Sequence, residues 1–239
     1  MSMDATMPMD GGMAMDGGMA MEDSSGALTM GMGAALFIGL WAVMMVAVML
    51  PSAAPMILTF ARVQSTRSEA GRAYVPTWIF TAAYLILWAA TGLLAYGLAV
   101  GVEALAADSP WLTENAARVG GVLLVAAGIY QLTPAKDVCL RKCRSPLSFL
   151  TNSWREGYGG AFRMGFVHGA YCIGCCWLLF LILFPLGMMN IVVVAVITAL
   201  ILAEKVLPWG QGVRYVTAAA LIGYGGVVTF VPSALPTMM

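Results

Sequence analysis

The chain has 239 residues, of which 61% are hydrophobic and only 10% charged. Soluble domains carry about 25% charged residues, so this composition excludes a water-soluble globule. Twelve Lys and Arg balance twelve Asp and Glu, and this zero net charge predicts no nucleic-acid partner. Nineteen methionines and five cysteines accompany a single histidine. Because thioether and thiolate sulfurs favour Cu(I), copper is the metal that we expect.

Residues 1–27 form a polar, acidic segment without the basic start and apolar core of a secretory signal. Pairs of methionines two apart recur every six residues, each followed by an acidic residue. Two thioethers on a flexible chain can enclose one soft ion without losing a proton. We expect an extracytoplasmic tail that captures Cu(I), and a low-complexity tail without a partner is the alternative. The expected ligands are Met7, Met9, Met13, Met15, Met19 and Met21.

Residues 28–239 contain six apolar runs, each near the ~20 residues that span a bilayer. They predict an all-α fold, a polytopic membrane helix bundle with about six transmembrane helices. Pro51 and Pro55 interrupt the first run and predict two half-helices. The runs are 34–60, 78–102, 116–133, 162–184, 188–204 and 214–231.

The loops between the runs alternate between basic and acidic. Since basic loops remain in the cytoplasm, both termini are expected outside, in a multi-pass protein of the bacterial inner membrane. The charges of Glu204 and Lys205, at the end of the fifth run, are expected to snorkel to the interface. The basic residues counted here are Arg62, Arg67, Arg72, Lys136, Arg141, Lys142, Arg144, Arg155, Lys205 and Arg214.

The first run is rich in methionine. Met45, Met49 and Met56 are spaced by four and seven residues, which aligns them on one helical face beside Met44. Such a sulfur ladder suits Cu(I), with Met44, Met45 and Met49 as the expected ligands. Methionine also fills gaps between helices, and for this run alone that interpretation is favoured.

The fourth run contains His168, Cys172, Cys175 and Cys176, which are three or four residues apart and share one helical face. One imidazole and up to three thiols predict a buried soft-metal site. Two alternatives stay open: thiol redox chemistry, and close helix packing without metal. The glycines that favour close packing are Gly165, Gly169 and Gly174.

The third loop carries Cys139 and Cys143, four residues apart among basic residues that favour thiolate. In the reducing cytoplasm a stable disulfide is not expected. The pair predicts a second, two-coordinate Cu(I) site at the cytoplasmic exit. Redox exchange and a structural role remain open.

Three segments resemble a known family, with further matches near Gly187 and Glu204. They are Trp41-x-x-Met44-Met45-x-x-x-Met49-x-Pro51, the run from Gln131 to Pro146 with its two cysteines, and Gly169-x-Tyr171-Cys172-x-Gly174-Cys175-Cys176-Trp177. They resemble the bacterial predicted metal-binding integral membrane proteins, a family of unknown function. The resemblance covers residues 35–231 and implies metal binding but no reaction. The methionine-rich tail lies outside it.

These patterns together predict a membrane copper(I)-handling protein that captures copper at its tail and holds or relays it in the bilayer. One alternative is an accessory subunit that supplies copper to, or stabilises, a membrane copper oxidase or monooxygenase. Another is a transmembrane thiol–disulfide oxidoreductase, and a third is a structural subunit. No nucleotide-binding or nucleophile motif is present, so an enzyme is not favoured and no catalytic residue is expected. The partner enzyme, the oligomeric state and the direction of transport stay open.

Overall fold

The computed structural model describes residues 28–188 and 190–235, so the methionine-rich segment 1–27 lies outside the described residues. The described ranges are helical and contain no strand, which confirms the all-α prediction. The helices are α1 Ala34–Glu69, α2 Thr77–Asp108, α3 Pro110–Glu114, α4 Ala116–Gln131, α5 Pro134–Arg144, α6 Pro146–Ser153, α7 Gly157–Leu181, α8 Leu183–Leu186, α9 Ile191–Val206 and α10 Gly210–Phe230, followed by a 3-10 turn at Pro232–Ala234.

Four stretches are long and apolar enough to cross a membrane: α1, α2, α10 and the stretch Gly157–Leu186 formed by α7 and α8. Helices α4 and α5 meet at a bend of 63° and count as a fifth span if they are taken together. Helix α9 has 16 residues, about 24 Å, which is shorter than the ~30 Å hydrocarbon core. By length and composition, the described residues therefore contain four or five possible membrane spans, whereas the sequence predicted about six.

Helix α1 is one continuous helix of 36 residues with Pro51 and Pro55 inside it. The two predicted half-helices are therefore wrong. Residues beside the prolines, including Met49, Ala53 and Met56, are buried against neighbouring helices. Membrane helices tolerate proline where neighbouring helices support the backbone in this way.

The bundle is assembled from helices that pack in pairs. Helix α2 contacts both α1 and α7, α4 runs along α10, and α5 lies against α7. Two glycines allow the close approach of α4 and α10, because a Cβ on Gly225 would lie 2.7 Å from the carbonyl oxygen of Gly121. Close packing between glycines is thus a real feature of this fold.

The predicted third loop is largely helical. Thr133 caps α5 by accepting a hydrogen bond from the Lys136 backbone N–H at 3.4 Å, and Pro134 and Pro146 begin α5 and α6. Proline suits the first helical position because the backbone N–H it lacks has no partner there. The bend between α4 and α5 turns the chain back against α7 and buries Lys136 completely.

A buried polar cluster joins the α4–α5 bend to the end of α9. Lys136 Nζ lies 2.7 Å from Glu204 Oε2 and also donates to Gln131 Oε1. Gln131 Nε2 donates to Glu204 Oε1 at 3.0 Å. Glu204 is 2% exposed and Lys205 8% exposed. The expectation that these two charges snorkel is therefore wrong, because each has partners inside the bundle.

Several of the basic residues that were used to predict the membrane orientation do not lie exposed in loops. Lys136 and Lys205 are buried, and Arg214 is 5% exposed and lies 2.9 Å from Asp137 Oδ1. The orientation with both termini outside remains a prediction, supported by the remaining loop arginines and lysines.

We predict that Glu204→Gln destabilises the protein strongly, because it leaves the Lys136 ammonium buried without a counter-charge. Breaking one partner of a buried pair costs about 3–5 kcal/mol. Thermal unfolding in mild detergent, followed by circular dichroism, measures the change.

The control is Glu156→Gln, which removes the exposed partner of Arg67 and is expected to cost about 0–1 kcal/mol. Adding Lys136→Met to Glu204→Gln removes the orphaned charge and should recover part of the loss. Equal unfolding temperatures for Glu204→Gln and Glu156→Gln would contradict the role of this cluster.

Candidate metal centre

Three cysteine sulfurs meet inside the bundle. The Sγ atoms of Cys143, Cys172 and Cys175 all lie within 4.8 Å of one another. Cys172 and Cys175 are buried on α7, and Cys143 is half-buried on the last turn of α5. A metal ion with three sulfur bonds of about 2.3 Å holds its sulfurs about 4 Å apart. The three thiols, called the thiol cluster below, therefore fit a single ion with small adjustments.

The two cysteines of α5 lie one helical turn apart. Cys143 belongs to the thiol cluster, whereas Cys139 lies one turn earlier and outside it. A Cβ on Gly174 would lie only 2.8 Å from Cys139 Sγ, so this glycine makes room for α5 against α7. The sequence placed this pair in a loop, whereas the structure places it on a helix, with Cys143 beside the cysteines of α7. A two-coordinate site formed by Cys139 and Cys143 stays a prediction. The proline at the start of α5 was the signal for a helix there.

Cys176 lies beside the thiol cluster but is not one of its three members. Its Sγ donates to the Cys172 carbonyl oxygen at 2.8 Å, and the Cys175 Sγ donates to the same oxygen at 3.1 Å. Both thiols therefore stay close to the backbone of their own helix. Of the three cysteines that the sequence placed on one face of α7, two contribute to the cluster.

His168 lies one turn before Cys172 and is 2% exposed. Its ring is surrounded by aromatic side chains, with centroids 5.5 to 6.0 Å away. Its Nδ1 has no hydrogen-bond partner among the described residues. The imidazole is thus buried near the cysteines without belonging to the thiol cluster. The surrounding rings are Phe80, Tyr84 and Phe149.

The methionine face of α1 meets α7 at this site. Met45 and Met49 are both buried, and Met49 Sδ lies 3.9 Å from Cys172 Sγ. The first and fourth apolar runs of the sequence therefore touch through these two sulfurs. Met44 is half-buried and lines a separate cavity.

Two polar groups that the sequence did not assign to the site contact the Cys172 sulfur. Lys205 Nζ lies 2.9 Å from Cys172 Sγ and 3.2 Å from Ser52 Oγ. The Tyr84 hydroxyl lies 3.1 Å from the same sulfur. The positive charge of Lys205 offsets the negative charge that thiolate ligands bring into the bundle. The signal for Lys205 was an ionisable pair at the end of an apolar run, since ionisable residues within membrane spans often mark a functional site.

This ligand set suits a soft metal ion. Thiolates and thioethers select Cu(I) or zinc, whereas calcium and magnesium require oxygen ligands. The thiol cluster contains no carboxylate, and within residues 28–188 and 190–235 no other group of three Cys, His, Asp or Glu side chains is close enough to hold an ion. The protein is therefore a helical bundle with apolar, span-length helices and a buried thiol site for a soft metal.

Comparison with known families gives that class a name. The sequence model of the PpoB2 family, described as a copper chaperone, matches residues 38–228. This range includes all five cysteines, and the chain belongs to the PpoB2 copper chaperone family. No curated protein and no solved structure matches the chain significantly. The predicted resemblance to metal-binding membrane proteins was consistent with this family but less specific.

We predict that Lys205→Gln weakens copper binding without removing any sulfur ligand, because it deletes the positive charge facing Cys172. A hydrogen bond to a charged group contributes about 1.5–3 kcal/mol, which corresponds to roughly a 10–100-fold loss of affinity. Anaerobic competition with a chromophoric Cu(I) chelator measures the change.

The control is Arg118→Gln, which removes an exposed positive charge near the start of α4, where the guanidinium contacts Asn115. It should bind copper as the unaltered protein does. Equal affinities for the two variants would show that Lys205 has no electrostatic role at the site.

Proposed function

We propose that this protein is a membrane copper chaperone that holds Cu(I) at Cys143, Cys172 and Cys175 before passing it to a recipient. One observation carries the proposal: three thiols from two helices lie within 4.8 Å of one another in a chain of a copper chaperone family. A chaperone must bind its cargo tightly yet release it, and a site shared between two helices can open when they separate.

The chemistry of the ligands supports Cu(I) over Cu(II). Cu(II) prefers square-planar nitrogen and oxygen ligands, whereas Cu(I) favours thiolate and thioether sulfur. The thiol cluster offers three thiols, with the Met49 thioether 3.9 Å from one of them. Burial inside the bundle excludes water, which helps keep the ion reduced and bound.

The methionines provide a route into this site. We propose that the tail methionines capture Cu(I) outside the cell membrane and that Met45 and Met49 pass it along α1. Thioethers are neutral and bind more weakly than thiolates, so transfer towards Cys172 is downhill. His168 and Cys139 each lie one helical turn before a cysteine of the thiol cluster, and we propose them as secondary ligands during release.

The recipient that we propose is a membrane copper enzyme, such as an oxidase or monooxygenase, in the bacterial inner membrane. Under this proposal the protein supplies copper to that enzyme or stabilises it as an accessory subunit. The lipid bilayer surrounds the span-length helices, and no catalytic residue is assigned.

A second candidate function is thiol–disulfide exchange, and one observation favours it. Cys143 and Cys172 lie on different helices with their sulfurs within 4.8 Å, so they can approach each other as two cysteines of one helix cannot without strain. Such an enzyme would cycle between a disulfide and two thiols without holding a metal.

We predict that protein purified in detergent under reducing conditions from copper-replete cells contains about one copper per chain or more. Cys172→Ser and Cys143→Ser should each contain clearly less copper than the protein with all its cysteines, because the remaining sulfurs hold Cu(I) less tightly. Elemental analysis measures the ratio. In these samples the proposed tail ligands are replaced by leucine so that they contribute no copper; they are Met7, Met9, Met13, Met15, Met19 and Met21.

The matched control is Cys176→Ser, which removes an equally buried thiol of α7 that is not a member of the thiol cluster and should retain copper. Equal copper in Cys172→Ser and in the control would contradict the proposed site. A metal-free protein whose alkylatable thiols fall from five to three after mild oxidation would support thiol exchange instead.

A further inference from the structure

A second group of sulfur side chains surrounds a cavity at the other end of α1. The cavity has a volume of about 220 Å³ and lies where the N-terminal ends of α1 and α9 meet. Four methionines line it, together with aromatic and aliphatic side chains. No charged residue, histidine or cysteine is among the lining residues. The methionines are Met30, Met32, Met44 and Met188.

We infer that this methionine cavity is a thioether site that receives Cu(I) before it reaches the thiol cluster. The inference rests on the proposed function, because it assumes that copper is the cargo. The four methionines come from three separate segments: the turn before α1, α1 itself, and the connection between α8 and α9. Their convergence is therefore a feature of the tertiary structure and not of one helical repeat.

The turn that carries Met30 and Met32 is held in place by a carboxylate. Glu103 Oε1 accepts hydrogen bonds from the backbone N–H groups of Leu28 and Thr29 at 2.7 and 2.6 Å. The Thr29 hydroxyl also lies 3.1 Å from each Glu103 carboxylate oxygen. Met30 has a positive φ of 54°, which is uncommon outside glycine and persists where the surroundings fix the backbone. The backbone that carries Met30 and Met32 is thus fixed before any ion arrives.

The opposite wall is also fixed. Trp41 donates from Nε1 to Thr91 Oγ1 at 3.1 Å, and its ring stacks with Phe37 at a centroid distance of 6.3 Å. Both rings line the cavity. Aromatic faces attract cations. Because thioethers are neutral, a Cu(I) ion that they bind keeps its positive charge, and the rings of Phe37 and Trp41 favour it.

The methionines leave space beside them. Methionine is flexible and fills gaps readily, yet these four line a half-open cavity of about 220 Å³. A single water needs only about 10–15 Å³ of such space. The cavity therefore has room for an ion and for movement of the thioethers around it.

The position of the cavity suits delivery to the thiol cluster. Met44 lines the cavity and precedes Met49 by five residues, about 7.5 Å along the helix axis. Met49 Sδ in turn lies 3.9 Å from Cys172 Sγ. Copper that passes from the cavity along α1 thus moves from neutral thioethers to thiolates that bind it more tightly.

The test uses the full chain with the tail methionines Met7, Met9, Met13, Met15, Met19 and Met21 replaced by leucine and with Cys143, Cys172 and Cys175 replaced by serine. This background removes the ligands proposed for the tail and for the thiol cluster and leaves the cavity intact. Anaerobic titration with Cu(I) against a chromophoric chelator should show about one bound ion per chain. Adding Met30→Leu, Met32→Leu, Met44→Leu and Met188→Leu should lower its affinity at least tenfold.

The control in the same background is Met164→Leu, which changes a buried methionine outside the cavity and should leave the affinity unchanged. If the fourfold variant does not fold, Met44→Leu and Met188→Leu are each compared with Met164→Leu instead. X-ray absorption of the bound copper should show sulfur neighbours and no lighter ones.

Absence of Cu(I) binding in the background would overturn the inference, as would binding that the cavity substitutions leave unchanged. In either case, copper binding by the intact protein tests the proposed function separately. If it binds copper through its cysteines, only the methionine cavity is rejected. If it binds none, the chaperone proposal fails as well.

Discussion

The close contact of α5 with α7 is the constraint on which the rest of the site depends. Gly174 has no side chain, and Cys139 occupies the space where one would lie. The last turn of α5 therefore reaches α7 and brings Cys143 within 4.8 Å of two buried thiols. With a larger residue in place of Gly174, α5 would have to move away from α7, and the site would retain only the cysteines of α7.

Two buried charged residues at the end of α9 hold α5 and α7 in this arrangement. Lys136 pairs with Glu204 at 2.7 Å, which fastens the start of α5 to the end of α9. The next residue, Lys205, contacts Cys172 at 2.9 Å. Because a buried charge is costly unless it is paired, the last turn of α9 both stabilises the fold and tunes the thiol site. Assembly of the bundle and the chemistry of its cysteines are in this way connected.

The sequence predicted the helical class and the cysteine-bearing face of α7, because both follow from local periodicity and composition. It also predicted a methionine face on α1, and Met49 does meet Cys172. It did not predict the helix that carries Cys143, because the charged segment was interpreted as a loop. Nor did it predict the burial of Lys205, since whether a charge snorkels or is buried depends on partners far away in the chain.

The most direct test of the central claim is X-ray absorption at the copper edge of the intact protein, compared with Cys143→Ser. We predict Cu(I) surrounded by sulfur alone in the intact protein, with one sulfur neighbour fewer or an oxygen in its place in the variant. Identical spectra for the two proteins, or a copper shell of nitrogen and oxygen, would contradict a thiolate site shared between α5 and α7.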